Sequence, residues 1–533
     1  MLILYNCTVH TLDPKAPKAT AIAIEQRSDH SGRVLATGDF SSLKQEFPKA
    51  QHENLNDATL LPGLTDAHIH LHQYAMMLNA LDCRTSTRAE CVDRVAKRAA
   101  QFKPGDWILG HGWQQNDWPE SFGNAGLLDA AAPNNPVFLT AASLHATWLN
   151  SAALKAAGIH TETVDPPNGR IERNADGSPT GILFEEAISL AARAIPKPTL
   201  EDNARSIQIA QTQLWKYGLT GVHDFDRADS FRALQILKKR GELKLRVIKS
   251  LPIEDLEKAL AIGLRSGLGD DLLRIGSVKA FADGALGPRT AAMFEPYNGE
   301  PDNRGMLFMD SEQLLELGQQ AAQGGLSMTV HAIGDRANHE VLNAYEQLRV
   351  YEQSQHLPSR RHRIEHVQLL HPGDIQKLGK LGVIASMQPI HAISDMEIAD
   401  KYWGRRVEYS YGWKTQLEAG AVLAFGSDAP VESPNPWLGI HAAVTRRRAD
   451  GKPGAEGWLP GQRLDFRDAL AGYTTGAAYA AEMEDKLGRL APGYLADLIV
   501  LDQDPFSVAA HDLQNVEPTA TMVGGDWVWW SVG

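Results

Sequence analysis

Apolar and polar positions follow two textures along the chain. Near both ends the apolar residues come in short runs broken by turn residues: "LILYNCTVHTLD", "ATAIAIEQ" and "GRVLATGD" toward the amino end, "YLADLIVLD" and "TATMVGGDWVWW" toward the carboxyl end. Such runs predict β-strands. Neither terminal piece can bury much apolar surface alone, so residues 1–57 and 481–533 are predicted to pair into one small β-domain. The middle reads differently. Buried-looking runs recur at "LLPGLTDAHIH", "GLTGVHDF", "KLRVIKSL", "LLRIGSVKAFAD", "SMTVHAIGD", "HRIEHVQLL", "GVIASMQP" and "AVLAFGSDAPV". Helical stretches such as "ARSIQIAQTQLWKYG" and "SEQLLELGQQAAQGG" lie between them, several closing on Gly as a helix C-terminus does. Eight strands alternating with helices predict an α/β fold, a (β/α)8 barrel, over residues 58–480. Residues of about 80–205 are too long for one crossover and predict an insertion with its own strands at "DWILGHGW" and "NPVFLTA".

Composition narrows the setting. The chain has 533 residues, 43% of them hydrophobic and 22% charged, enough for a large core and against extensive disorder. A net charge of −13 with no long basic run excludes broad attraction to nucleic acid or anionic membrane. No stretch of eighteen apolar residues occurs, so no spanning helix is expected. The amino terminus lacks the layout of a signal peptide. Three cysteines, an odd and sparse number, argue against a disulfide framework and for a reducing compartment, with the cytoplasm as the expected location.

The chemistry lies at the strand ends, because a barrel gathers its reactive groups at the carboxyl-terminal mouth. The first strand ends in His68 and His70, which alternation places on one face. Lys279 lies on the fourth strand, His331 ends the fifth, His366 the sixth, and Asp428 follows the eighth. A single His-x-His pair carries little weight in a chain with 19 histidines. The convergence of all these groups on one mouth carries far more. Imidazoles and a carboxylate without thiolates suit Zn2+, Mn2+, Fe2+ or Ni2+.

The segments "LPGLTDAHIHLH", "GHGWQQNDW", "GLTGVHD", "VKAFADGALG", "TVHAIGDRAN", "RIEHVQ", "SMQPIH", "GSDAPVESPNPWLGIHAAVTRR" and "GRLAPGYLADLIVLDQDP" resemble the amidohydrolase superfamily of metal-dependent hydrolases, in its YtcJ-like branch. The resemblance spans nearly the whole chain. It implies a catalytic barrel flanked by a composite β-sandwich built from both termini. It implies one or two divalent metal ions, most often Zn2+, with His68, His70 and Asp428 on one, His331 and His366 on the other, and Lys279 bridging them. A lysine ammonium has no lone pair to offer, so that bridge requires a CO2-derived carbamate on Lys279. The other reading of Lys279 is an ion pair with Asp283 or Asp428, which leaves one metal. By the resemblance, hydroxide bound to metal attacks the carbonyl of a C–N amide-type bond, as in an N-acyl or N-formyl amine, with Asp428 shuttling the proton. A mononuclear deaminase or cyclic-amide hydrolase on the same barrel is the alternative. A non-catalytic binding relative is a third reading.

Around these ligands the sequence offers further roles. Glu365 precedes His366, and alternation turns it away from the metals, toward orienting a neighbour. Asp66 is open between that kind of role and a purely structural one, and His72 is expected to fall past the strand end. Candidates for substrate contact are Trp113 and Gln114 in the insertion, His145, Arg289 and His391. The tryptophan would favour an apolar or aromatic substrate group, although a tryptophan in an insertion is more often packed core than ligand wall. Gln114 and the tripeptide Ser143-Leu144-His145 depart from the acidic residues usual in the branch, as Pro288 does from serine, which removes the ground for inferring a cationic or polyhydroxylated substrate and for transferring the specificity of other members. Arg289 would anchor an anion or serve a structural ion pair. The expected partner is a small molecule, without nucleic acid or membrane, and a homodimer is compatible with the sequence.

Overall fold

The computed structural model describes residues 1–114, 118–142, 145–167 and 169–531. The eight apolar runs of the middle region form eight parallel strands of one sheet: Leu64–Ile69, Leu219–Asp224, Arg246–Pro252, Leu273–Phe281, Ser327–Ala332, Arg363–His366, Ile384–Met387 and Leu423–Phe425. We number them barrel strands one to eight. They are joined in chain order, and the sheet closes where His70 N donates to Ala429 O at 2.9 Å and Asp428 N donates to His68 O at 2.7 Å. The α/β class and the barrel read from the sequence are the fold the chain adopts.

Local chemistry explains the helices between strands. Ser311–Gly324 opens with a capping box, the Asp310 side chain accepting from Gln313 N while the Gln313 side chain accepts from Asp310 N. It stops at Gly325, whose φ of 84° a side chain would resist. Among the described residues, no helix is long and apolar enough to cross a membrane.

The chain divides into two units, Met1–Tyr74 with Ile207–Gly533, and Ala75–Ser206. In the first, the terminal strands make a seven-stranded sheet in the order Asp526–Trp530, Pro518–Val523, Leu498–Leu501, Gln51–Pro62, Leu2–His10, Lys18–Ile24 and Val34–Gly38. Leu4, Ile22, Leu498 and Met522, drawn from both ends of the chain, are buried in one apolar cluster. This explains why neither end could supply a core alone. The second unit has a six-stranded sheet with Ile108–Trp113 and Val137–Ala141 near its middle and Gly169–Arg173 at one edge.

One buried ion pair ties the barrel to the terminal sheet. Arg246, at the start of barrel strand three, forks onto Asp497, with Nε to Oδ2 at 2.6 Å and Nη2 to Oδ1 at 2.7 Å. The remaining Arg246 donors reach Asp271 O and His30 O. Asp497 Oδ1 also accepts from Gly524 N at 2.7 Å. A bidentate pair with its other lone pairs and protons satisfied is the geometry in which buried charges hold. Replacing Asp497 by Ala strands a buried guanidinium, and we predict a loss of about 3–5 kcal/mol in chemical denaturation. A loss below about 1 kcal/mol would show that the pair does not brace the two sheets.

Candidate metal centre

Barrel strand one delivers His68 and His70 to the mouth, the first buried and the second half-buried. Asp428 follows strand eight with a φ of 60°. Its Oδ1 lies 3.4 Å from His68 Nε2 and 3.4 Å from His70 Nε2, and donor atoms of the three residues all lie within 4.8 Å of one another. The other carboxylate oxygen faces a second group: Asp428 Oδ2 is 3.9 Å from His391 Nε2, and donors of His366, His391 and Asp428 also lie within 4.8 Å. One carboxylate therefore stands between two imidazole pairs. His391, expected to face substrate, is drawn instead into this ligand-capable group from the first turn of helix Pro389–Trp403.

His331 and Lys279 are placed differently. The His331 ring lies 4.6 Å from that of His366, centroid to centroid, but its Nε2 is 2.9 Å from Gly284 O. Lys279 Nζ is buried without a hydrogen-bond partner, 4.9 Å from the Phe225 ring centroid and 5.1 Å from that of Phe281. The alternative ion pair with Asp283 is not formed, because the Asp283 carboxylate is occupied by the backbone N–H groups of Ile333, Gly334 and Ala292. Burial lowers the Lys279 pKa to about 8, against the pull of Glu365 and Asp428.

Burial dominates the histidines as well. It lowers His68 to about 4 and His331 to about 3, so both are neutral at pH 7 with a lone pair to offer. His70 behaves oppositely. Burial works to neutralise it, but Asp226 and Asp428 outweigh that and raise it to about 9. Asp428 is buried, yet the surrounding imidazoles, His68 first, hold its pKa well below the ordinary carboxylate range.

Around the ligands runs a layer the sequence revealed only partly. Glu365 Oε2 bonds His68 Nδ1, while Arg363 Nε lies 2.5 Å from Oε1 and Ser386 Oγ donates to Oε2 at 2.6 Å. The expected orienting role of Glu365 is thus the one its contacts describe, but the reason given for it is corrected. Glu365 does not turn away from the site: it shares the inward face with Arg363. His366 also points inward because its φ of 76° breaks the alternation. Asp66 accepts from His68 N and Ser427 N, each at 3.0 Å, and so ties strand one to the turn carrying Asp428. Gln388 Oε1 lies 2.7 Å from His366 Nδ1. Asp226, which the sequence did not single out, lies 3.4 Å from His70 Nδ1 through Oδ1 and accepts from His72 N at 2.5 Å through Oδ2. Its place two residues past strand two, in "HDFD", was the available signal.

The remaining candidates divide between the units. Trp113 is corrected: it is fully buried within the insertion, its Nε1 donating to Leu139 O at 2.8 Å and its ring stacked 5.9 Å from Trp118. Apolar area and a satisfied indole N–H make it core. Gln114 is exposed. His145 is exposed, with Nδ1 3.0 Å from Glu185 Oε2. Ser143 and Leu144 lie outside the described residues. Arg289 is also corrected from anion anchor to structural partner, its Nε 2.6 Å from Glu300 Oε1 and its guanidinium 5.1 Å from the Tyr402 ring centroid.

The donor set fits a divalent ion. Imidazole nitrogens and a shared carboxylate converge, His391 Nε2 and Lys279 Nζ are buried without hydrogen bonds, and His68 is braced through its second nitrogen, as a metal-holding imidazole would be.

The sequence matches the amidohydrolase family over residues 51–529. It is 33% identical to Protein LONG AFTER FAR-RED 3 of Arabidopsis thaliana, over 98% of this chain and 91% of that one. To putative amidohydrolase YtcJ of Bacillus subtilis it is 32% identical, over 98% of each chain. To N-substituted formamide deformylase of Arthrobacter pascens it is 28% identical, over 98% of this chain and 97% of that one. Among solved structures, an uncharacterized metal-dependent hydrolase from Pyrococcus furiosus superposes with a TM-score of 0.78 at 30% identity, covering 95% of this chain and all of that one.

Glu365→Gln removes the charged acceptor behind His68 while keeping its shape. We predict divalent-metal binding weakened about 10–100-fold with the circular dichroism spectrum unchanged. An unaltered metal dissociation constant would detach Glu365 from the site.

Proposed function

The chain belongs to the amidohydrolase family of metal-dependent hydrolases, and from that premise we propose that it hydrolyses a C–N bond of amide type in a small molecule, an N-acyl or N-formyl amine. The observation that carries this reading is Asp428, an ionised carboxylate with one oxygen toward His68 and His70 and the other toward His391. His68, His70 and Asp428 would hold one divalent ion, and His366 with His391 or His331 a second. The ion supplies Lewis acidity toward a carbonyl oxygen and acidifies water. Asp428 accepts a proton from the attacking water as the O–C bond forms, and returns it to the nitrogen as the C–N bond breaks. It is suited to this because the imidazoles keep it ionised in a dry site. The relative named as an N-substituted formamide deformylase supports N-formyl amines as the first compounds to try.

Lys279 belongs to the same reading. Burial favours its neutral amine, against the pull of Glu365 and Asp428 and of the two aromatic faces beside it. That form could add CO2 with formation of an N–C bond and release of one proton, and the resulting anionic carbamate would give Lys279 an oxygen with which to hold a divalent ion. A one-ion arrangement is favoured by a single feature, the turn of His331 Nε2 to Gly284 O. Metal content near one per chain, with unmodified lysine by mass spectrometry, would establish that version.

Asp428→Asn is predicted to lower turnover of any hydrolysed amide by about 10²–10⁴-fold with the thermal midpoint retained. A near-parental rate would end the shuttle role. Lys279→Ala is predicted to lose both metal content and turnover, with partial rescue by added short carboxylates. Equal metal content in variant and parent would count against the bridge.

A further inference from the structure

Large apolar side chains left exposed at a charged catalytic mouth require an explanation, because they are hydrated at a cost and recovered only when something covers them. Phe281 is such a residue. It stands two positions after Lys279 on barrel strand four, so both side chains face the barrel axis. Its ring centroid is 5.3 Å from that of His331 and 5.1 Å from Lys279 Nζ, yet the residue is 44% exposed. The segment running beside it, with Phe308 N donating to Ala282 O at 2.7 Å, leaves Met306 and Phe308 exposed too. Across the mouth, strand eight lies four strands away in the closed order. There the turn carrying Asp428 is fixed by Val431 N donating to Asp428 O at 2.9 Å and leaves the Val431 side chain 67% exposed.

We propose that Phe281, with Val431 exposed at the end of the opposite strand, is the specificity wall of this site, and that the substrate amide carries an apolar, preferably aromatic, substituent that covers the Phe281 ring. The inference rests on the proposed amide hydrolysis for the word amide, but the wall itself follows from the placement of these side chains. It takes over the role that the sequence suggested for Trp113, which is buried in the insertion's own core. A ring beside imidazoles and above an amine, with its own outer edge open, offers an offset or edge-on stacking surface, and the charged groups beneath it leave the polar part of the substrate to the metal ligands.

Two ketones that cannot be hydrolysed, 4-phenylbutan-2-one and butan-2-one, test the wall by calorimetric titration of metal-loaded protein. They present the same carbonyl with and without the ring. The phenyl ketone is expected to bind the parent at least about tenfold more tightly, the order of one good aromatic contact. Phe281→Ala should remove most of that preference, Val431→Ser should reduce it, and Phe281→Tyr, which keeps the ring, should retain it. No preference in the parent, including binding of neither ketone, overturns the proposal, as does an undiminished preference in Phe281→Ala. A change of sedimentation coefficient in Phe281→Ala without a change in ketone binding also overturns it, making the ring a contact between copies of the chain. Turnover does not enter the readout. A parent that prefers the phenyl ketone but hydrolyses no amide would retire the proposed reaction and leave the wall standing.

Discussion

The barrel closes through the residues that present the candidate metal ligands. Strands one and eight meet where Asp428 N donates to His68 O and His70 N donates to Ala429 O. Asp66 reinforces the seam from within by accepting from His68 N, Ser427 N and Ser427 Oγ. Gly426 is required there, since a Cβ would lie 2.4 Å from His68 N and 2.7 Å from Asp66 Oδ1. Completing the sheet and setting the distance between two imidazoles and a carboxylate are therefore one event. The geometry cannot relax without opening backbone hydrogen bonds in a buried seam, and this rigidity is what preorganisation of a charged site consists of.

Placing so many ionisable groups in a dry interior is tolerable only if each finds an opposite charge or loses its own. The barrel does both. Lys249 Nζ lies 2.9 Å from Asp224 Oδ2, and Asp224 in turn fixes Leu71 N just past the His70 strand end. Arg363 faces Glu365 and also donates to Ala67 O at 2.7 Å and Ser386 Oγ at 2.6 Å, with Nη1 2.9 Å from His223 Nδ1. Lys279 takes the other course. Buried and without a hydrogen bond, its ammonium is disfavoured, although two aromatic faces beside it pull the other way. The one lysine at the mouth that the proposed chemistry needs as an amine is the one the fold leaves without a partner.

The eight strands, and the meeting of His68, His70, His366 and Asp428 at their ends, were legible because a barrel strand buried on both faces reads as an apolar run and because a barrel gathers the side chains at its strand ends. What escaped was whatever depended on a local departure from regular geometry. Glu365 and His366 are neighbours that both face inward, which period-two reasoning forbids and a φ of 76° allows. His391 lies a helical turn beyond its strand, so its membership of the ligand group is a matter of helix direction. Asp226 is legible only once the loop after strand two is known to fold back on His70. Trp113 misled in the opposite sense. A tryptophan in a short motif looks functional, but its neighbours Trp118 and Trp148 enclose it in an aromatic cluster that is the insertion's own core.

The two halves of the site differ in how firmly they are held. His68 is fixed at Nδ1 by Glu365 and His70 is flanked by Asp226, so these rings and Asp428 already stand where an ion would need them. On the other side, His366 is oriented by Gln388, but His331 Nε2 is engaged with Gly284 O and His391 Nε2 has no hydrogen bond. The side chains of the first half have been ordered by folding, whereas His331 would have to leave a backbone carbonyl before it could join His366 in holding an ion. Preorganisation lowers the cost of binding only where it exists. On the proposed reading, the asymmetry between the halves would make the His68, His70 and Asp428 position the tighter one and leave the other dependent on what becomes of Lys279.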